Sequence, residues 1–229
     1  MTLWGLQPSL NPMTATLDFS SAELEAGRRL FGQPWDFASA AGSLESLPKM
    51  HGIEIAFAGR SNVGKSSLIN ALTSRKSLVR VSNTPGRTQE LVYFTGDPVL
   101  TLVDMPGYGY AAAPRQKVKA WTELIHAYLR GRSNLVRVYV LIDGRHGLKD
   151  TDGPSLDVLG EAAVSHQIVL TKADQVAAKD LEACIAATEA ALAKRPAAFP
   201  RVLATSSRTG AGIPELRAAV ARLKAERHP

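Results

Sequence analysis

Six residues that read as a buried strand, Ile53–Ala58, run without a break into Gly59-Arg60-Ser61-Asn62-Val63-Gly64-Lys65-Ser66-Ser67, and helical spacing begins at once over Lys65–Thr73. This strand, glycine loop and helix constrain the chain more than any other feature. Gly59 and Gly64 let successive backbone N–H groups turn inward around a phosphate, and the start of the helix adds a partial positive charge. Lys65 is placed to contact β- and γ-phosphates and the Ser66 hydroxyl to ligate Mg²⁺, with Arg60, Ser61, Asn62, Val63 and Ser67 completing the loop. A strand that ends in such a loop belongs to a layered α/β fold with its ligand at the carboxyl ends of the strands.

The rest of the chain repeats the alternation. Strand-length apolar runs lie at Ile53–Ala58, Leu91–Thr95, Val99–Val103, Val136–Ile142, Gln167–Thr171 and Arg201–Ala204. Helical spacing appears over Gln116–Leu129, Ser155–Ala163, Asp180–Lys194 and Ile213–Lys224, while Gly96-Asp97-Pro98 joins two strands as a hairpin. The expectation is a P-loop nucleotide-hydrolase domain: a mostly parallel six-stranded sheet with helices on both faces. Trp35–Ala40 could add an edge strand. A length of 229 residues suits one sizeable domain, assigned to 35–229. Residues 1–34 read as a poorly ordered or loosely docked extension, in which only Ser20–Phe31 looks helical, with Ser20 and Glu23 at capping-box spacing.

Charge and cysteine usage narrow the partners and the compartment. The chain carries 27 basic and 21 acidic residues, a net charge of +6. Through Gly52 there are three basic residues against five acidic ones, so the basic excess belongs to the body of the chain and favours an anionic partner. The single cysteine, Cys184, cannot form an internal disulfide, which fits a reducing compartment. No apolar run approaches the roughly 20 residues needed to cross a bilayer, and no signal peptide is evident. A cytoplasmic monomer is expected, with no membrane insertion and no DNA partner.

Three further motifs specify the ligand. Asp104-Met105-Pro106-Gly107 ends a strand where a carboxylate can hold Mg²⁺ through a water and the Gly107 amide can contact a γ-phosphate. Thr171-Lys172-Ala173-Asp174 follows another strand. The Asp174 carboxylate can accept from N1–H and the 2-amino group of guanine, whereas adenine has no donor at either place, and Lys172 can lay its stem along the base. Thr205-Ser206-Ser207 ends the last strand with small residues that let backbone amides reach the guanine O6. Between the P-loop and Asp104, the segment around Gly86, Arg87, Thr88, Gln89 and Glu90 occupies the place of a switch loop. The Thr88 hydroxyl is the choice to complete the Mg²⁺ shell while a γ-phosphate is present, with Thr84 as competitor.

The set GRSNVGKSSLIN, TPGRTQ, DMPGYGYA, DGRHGLKDTD and TKAD resembles the YihA/YsxC group, also called EngB, of bacterial ribosome-biogenesis GTPases. The resemblance covers about Trp35 to Arg227. It implies binding of GTP and GDP with Mg²⁺ and hydrolysis of GTP to GDP and phosphate. It also implies a nucleotide-controlled switch that meets a large ribosomal subunit precursor, its RNA and proteins, and a requirement in normal cell division and septation. The departures are a longer Ala/Ser/Pro-rich beginning and Gln175, where a second lysine often follows the aspartate. Related GTPases orient the attacking water with a glutamine after the DxxG glycine. Here Tyr108 stands there, so intrinsic hydrolysis is expected to be slow, carried by Lys65, Gly107, Thr88 and Asn62. In relatives with a P-loop asparagine that residue binds K⁺; Asn62 either does this or only stabilises the loop.

Arg115, Lys117, Lys119, Arg130, Arg132 and Arg137 offer either an RNA-binding surface or a solvated charged face. His146 reads as a structural loop histidine. The rival function is a GTP-dependent self-assembling protein of septin-like or dynamin-like kind, unrelated to ribosomes.

Overall fold

The computed structural model describes residues 18–79, 90–107 and 115–227. Its helices are α1 (Ser21–Phe31), α2 (Lys65–Leu72), α3 (Arg115–Gly131), α4 (Gly153–Glu161), α5 (Ala178–Leu192) and α6 (Ile213–Arg227). The strands are β1 (Asp36–Ala41), β2 (Ile53–Gly59), β3 (Leu91–Thr95), β4 (Leu100–Asp104), β5 (Leu135–Asp143), β6 (His166–Thr171) and β7 (Leu203–Ala204). They form one sheet in the order β1-β3-β4-β2-β5-β6-β7. The pairs β2·β4, β2·β5, β5·β6 and β6·β7 are parallel, and β1·β3 and β3·β4 antiparallel.

Every residue of β2 is buried, as a central strand covered on both faces requires. Its side chains alternate between two cores. Ile55 and Phe57 join Leu68, Ile69 and Leu72 of α2 and Leu216, Val220 and Leu223 of α6. Ala56 and Ala58 face Leu124, Tyr128 and Leu129 of α3, Leu156 and Leu159 of α4 and Leu192 of α5.

The sheet has seven strands rather than six. The additional strand is β1, from the stretch Trp35–Ala40, paired from Asp36↔Thr95 to Ala41↔Leu91 with a register shift between Phe37 and Ser39. Trp35 fastens it, being fully buried where Gly96 gives it room: a Cβ on Gly96 would stand 2.5 Å from the indole. The extension is also shorter than 1–34. Ser20 caps α1 in the capping box expected from Glu23, and Leu30 and Phe31 are buried in the first core. Gly27 lets α1 lie against the α6 backbone, where a Cβ would meet Ala218 N and Arg217 C at 2.6 Å. From residue 18 the chain therefore belongs to the folded body, while 1–17 lie outside the described residues.

Two arginines, Arg132 buried and Arg217 half-buried, tie distant segments together. Arg217 of α6 donates from Nε to the Leu72 carbonyl at 2.8 Å and from Nη2 to the Ala71 carbonyl at 3.0 Å, which caps the last turn of α2. Arg132, just past α3, pairs with Glu54 of β2 at 2.6 Å, and their side chains are 6% and 2% exposed. Arg132 is therefore not part of an RNA-binding face. The side chains of Arg115, Lys117 and Lys119 lie outside the described residues.

Candidate functional site

The carboxyl ends of four strands meet at one edge of the sheet. Register places Phe57 beside Asp104, Gly59 beside Leu141, and Asp143 beside Thr171, so the loops leaving β2, β4, β5 and β6 are neighbours. The β2–α2 loop holds its shape through two glycines with different demands. At Gly59 a Cβ would press on Val63 Cγ1 at 2.9 Å and the Leu141 carbonyl at 3.0 Å. Gly64 has open space but φ of +102°, a conformation L side chains rarely adopt.

Outward contacts fix the loop. The Thr171 hydroxyl donates to the Val63 carbonyl at 2.6 Å and Lys172 Nζ to the Asn62 carbonyl at 2.9 Å. Because a trans peptide points its C=O and N–H in opposite directions, the Gly64 N–H is turned toward the cradle. No side chain caps α2 and its first turn has no acidic residue, so the N-terminal amides of Lys65, Ser66 and Ser67 are available to an anion.

Lys65 and Asp104 form an ion pair with side chains 13% and 8% exposed. Burial pushes the Asp104 carboxyl up from its usual range, with Lys65 acting against that. Met105 and Pro106 are buried, and Gly107 runs beside the loop: a Cβ there would stand 3.3 Å from Ser61 N and 3.4 Å from the Gly59 carbonyl. The Ser66 hydroxyl and the Asp104 carboxylate are oxygen donors of the kind Mg²⁺ takes alongside waters and phosphates. Gly86, Arg87, Thr88 and Gln89, and the competitor Thr84, lie outside the described residues, as do Tyr108 and Tyr110. Glu90 is exposed beside Gly42.

The second half of the site is built from β6 and the loop after β7. Asp174 accepts from Ser206 Oγ at 2.6 Å and from Arg208 Nε at 2.8 Å, contacts that hold its carboxyl below the usual range. Ser206 is itself fixed, receiving Thr209 N at 3.1 Å on its hydroxyl. The Ala173 amide donates to the Thr205 carbonyl at 3.1 Å, so the two loops are joined, and Ser207 is exposed at the rim. Gly212, at φ +72°, brings the return of this loop so close to β7 that a Cβ would stand 1.9 Å from the Ala204 carbonyl.

Two residues were absent from the sequence expectation. Asp143 ends β5 and receives Lys172 Nζ at 2.8 Å and Arg145 Nη2 at 2.7 Å. Burial pushes its carboxyl up, and these two cations outweigh that and hold it well below the usual range. Its signal was its place as a strand-end carboxylate in line with Asp104. Arg208 is the other, detectable only as a basic residue directly after Thr205-Ser206-Ser207.

Residues 54–172 match a family described as 50S ribosome-binding GTPase. The chain is 66% identical over 206 residues to a probable GTP-binding protein EngB of Rhodopseudomonas palustris strain BisB5, covering 89% of this chain and 95% of that one. It is 63% identical over 214 residues to the probable EngB of Bradyrhizobium diazoefficiens, covering 93% and 99%. Among solved structures, a probable GTP-binding protein EngB superposes with a TM-score of 0.60 at 24% identity, covering 76% of this chain and 100% of that one. Aquifex aeolicus Era bound to GDP and AlF4⁻ gives 0.62 at 21% identity, covering 76% and 57%. These two structures establish the fold.

Proposed function

Because the chain belongs to the EngB family of GTP-binding proteins, we propose that it hydrolyses GTP to GDP and phosphate and acts as a nucleotide-controlled switch in assembly of the large ribosomal subunit. The observation that carries this reading is the pairing of a phosphate cradle at Gly59–Ser67 with a fixed carboxylate at Asp174, on loops tied together through Lys172. The cradle binds any nucleoside triphosphate. Asp174 restricts it to guanine, because adenine offers that carboxylate no donor.

Hydrolysis needs no covalent intermediate, so the chain's residues act by position and charge. The amides of Gly64–Ser67 hold the β- and γ-phosphate oxygens. Lys65, which pairs with Asp104, would turn its charge to those oxygens when the nucleotide binds. Mg²⁺ would be held by Ser66, Asp104 and Thr88, and would neutralise phosphate charge when bound. The buried Asp104 carboxylate fits that role, since the departure of Lys65 leaves it requiring another cation. The Gly107 amide, beside Ser61 and Gly59, is proposed to contact the γ-phosphate. Asn62 is proposed as the K⁺ ligand on the same side.

The proposed partner is the large-subunit precursor, met by a monomeric cytoplasmic protein. No helix among the described residues is long and apolar enough to cross a membrane. Family membership extends the proposal to a role in normal cell division and septation.

Two measurements test the reading. Fluorescent-nucleotide titration of Asp174→Asn should show GTP binding weakened by roughly 100-fold or more and a shift toward xanthosine nucleotide, whose 2-oxo group accepts from the new amide. Unchanged GTP affinity rejects guanine recognition. Sedimentation with large ribosomal subunits should show association with a non-hydrolysable GTP analogue and little with GDP, falling steeply with salt. Equal association in both states, or none at low salt, rejects the ribosome switch and favours nucleotide-dependent self-assembly.

A further inference from the structure

The Asp174 carboxylate is more fully engaged than a base-reading group in an empty site needs to be. Its Oδ1 accepts from Ser206 Oγ at 2.6 Å, while its Oδ2 accepts from Arg208 Nε at 2.8 Å, with Nη2 of the same guanidinium in ion-pair contact at 2.7 Å. A carboxylate has about four acceptor positions, two on each oxygen. Two are filled by hydrogen bonds, and the Arg208 guanidinium, with both Nε and Nη2 against Oδ2, covers the rest of that oxygen. The guanine edge presents two parallel donors, N1–H and the 2-amino group, and needs one position on each oxygen. It cannot be added to the arrangement present; one donor set must leave.

Chemistry identifies which. The N1–C2–N2 edge of guanine is itself a guanidine fragment, so the Arg208 guanidinium offers Asp174 the same kind of N–H donors as the base, with both of its nitrogens placed against Oδ2. Ser206 is buried and held within its loop, its amide donating to the Ala211 carbonyl at 2.8 Å and its carbonyl accepting from Gly210 N at 2.9 Å. Arg208 is 74% exposed along its side chain, against 8% for Asp174. The guanidinium can withdraw into water without disturbing the turn that carries it.

We propose that Arg208 is an internal stand-in for the guanine edge: it occupies the Asp174 carboxylate in the nucleotide-free protein and is displaced when the base arrives. This deepens, and rests on, the reading of Asp174 as the guanine-selecting group. Guanine entry is then an exchange, one guanidine-type donor pair for another. The carboxylate is never left buried and unpaired, and its position is kept while the site is empty. An adenine base has no donors with which to carry out the exchange. Arg208 thus slows entry of the correct base and sets how fast an emptied site refills.

The test is stopped-flow binding of fluorescent GDP to the parent, Arg208→Met and Arg208→Lys. Methionine keeps an apolar stem and removes the guanidinium. Arg208→Met should bind GDP about two to five times faster, the range expected from loss of an exposed ion pair, with dissociation unchanged. Arg208→Lys, which keeps a positive charge but not the paired N–H donors, should also bind faster than the parent. In ¹H–¹⁵N spectra the Arg208 Nε–H signal, identified by its disappearance in Arg208→Met, should be protected from exchange in the nucleotide-free protein and lose that protection on addition of GDP.

In the Asp174→Asn background, adding Arg208→Met should leave fluorescent xanthosine diphosphate binding unchanged, because the carboxylate that held the guanidinium is gone. Faster dissociation or slower association in Arg208→Met marks a supporting contact in the bound state and overturns the proposal. So does a protected Nε–H signal that survives GDP. If Asp174→Asn weakens GDP binding while Arg208→Met changes neither rate, the stand-in role alone falls. If Asp174→Asn leaves GDP binding intact, guanine recognition by Asp174 falls and takes the stand-in role with it.

Discussion

Removing the guanidinium from the Glu54–Arg132 pair, as in Arg132→Met, isolates a buried ion pair away from the phosphate loop. Arg132 Nη2 and Nε reach Glu54 Oε1 at 2.6 and 3.0 Å, and Nη1 reaches the Pro48 carbonyl at 2.7 Å. Without Arg132 the carboxylate keeps only the Tyr128 hydroxyl at 3.1 Å and Asn134 Nδ2 at 3.3 Å, both neutral donors. Breaking one side of such a buried pair costs about 3–5 kcal/mol. For a chain of this length that is a fall in Tm of roughly 6–20 °C. Glu54 stands five residues before Gly59 on β2, about 16 Å from the phosphate loop at 3.3 Å per residue. GDP affinity per folded molecule should therefore change little. Urea denaturation gives the stability and fluorescent GDP titration the affinity. Adding Glu54→Gln to Arg132→Met should recover part of the loss, since the stranded charge is removed. A single-variant loss under about 1 kcal/mol, or a double variant no more stable than the single, refutes the reasoning.

His166 is fully buried, its Nδ1 is 3.2 Å from the Val164 carbonyl, and its Nε2 has no partner, so burial lowers its pKa below the unfolded value. Its stability contribution is present above the unfolded value of about 6.5 and is lost as pH falls through the depressed folded one. The parent should accordingly lose more stability than His166→Asn between pH 7 and 5 in urea denaturation, and equal losses contradict the assignment. Gly27→Ala should destabilise by about 1–3 kcal/mol because its Cβ strikes the α6 backbone, although helix propensity alone gives the opposite sign; thermal melting reads that sign directly. GTP turnover should be faster in KCl than in NaCl at equal ionic strength, and Asn62→Ala should abolish the difference. Equal parent rates in the two salts remove the K⁺ role.

What could be read from the sequence was what lies close together along it. The phosphate loop carries its strand, its glycines and its helix in one contiguous run, and Gly64 answers a local backbone demand, its positive φ, whereas Gly59 also makes room for Leu141 of β5. The seventh strand was harder, because β1 is alanine-rich and its register shifts between Phe37 and Ser39, which breaks the alternation that marks a strand. β7 is two residues rather than the four of Arg201–Ala204, since only Leu203 and Ala204 pair with β6. Arg132 looked like a surface cation because its partner lies 78 positions away, and α1 looked detached because α6 comes near the other end of the sequence. The Arg208–Asp174 contact was hidden for the same reason, a pairing across 34 positions that no local pattern announces.

The bracing of α2 by Arg217 sets an order on how the protein can be made. Helix α1 leaves the ribosome first, yet the surface it buries against belongs to α6, which is synthesised almost last. Until Arg217 emerges, the final carbonyls of α2 lack the cation that caps them, and β7 with its guanine-side loop has only just appeared. A nascent chain can hold the phosphate loop in sequence long before it can hold it in shape. A ribosome that stalls before residue 217 releases a chain in which α2 lacks its Arg217 cap and α1 lacks much of the surface it packs on.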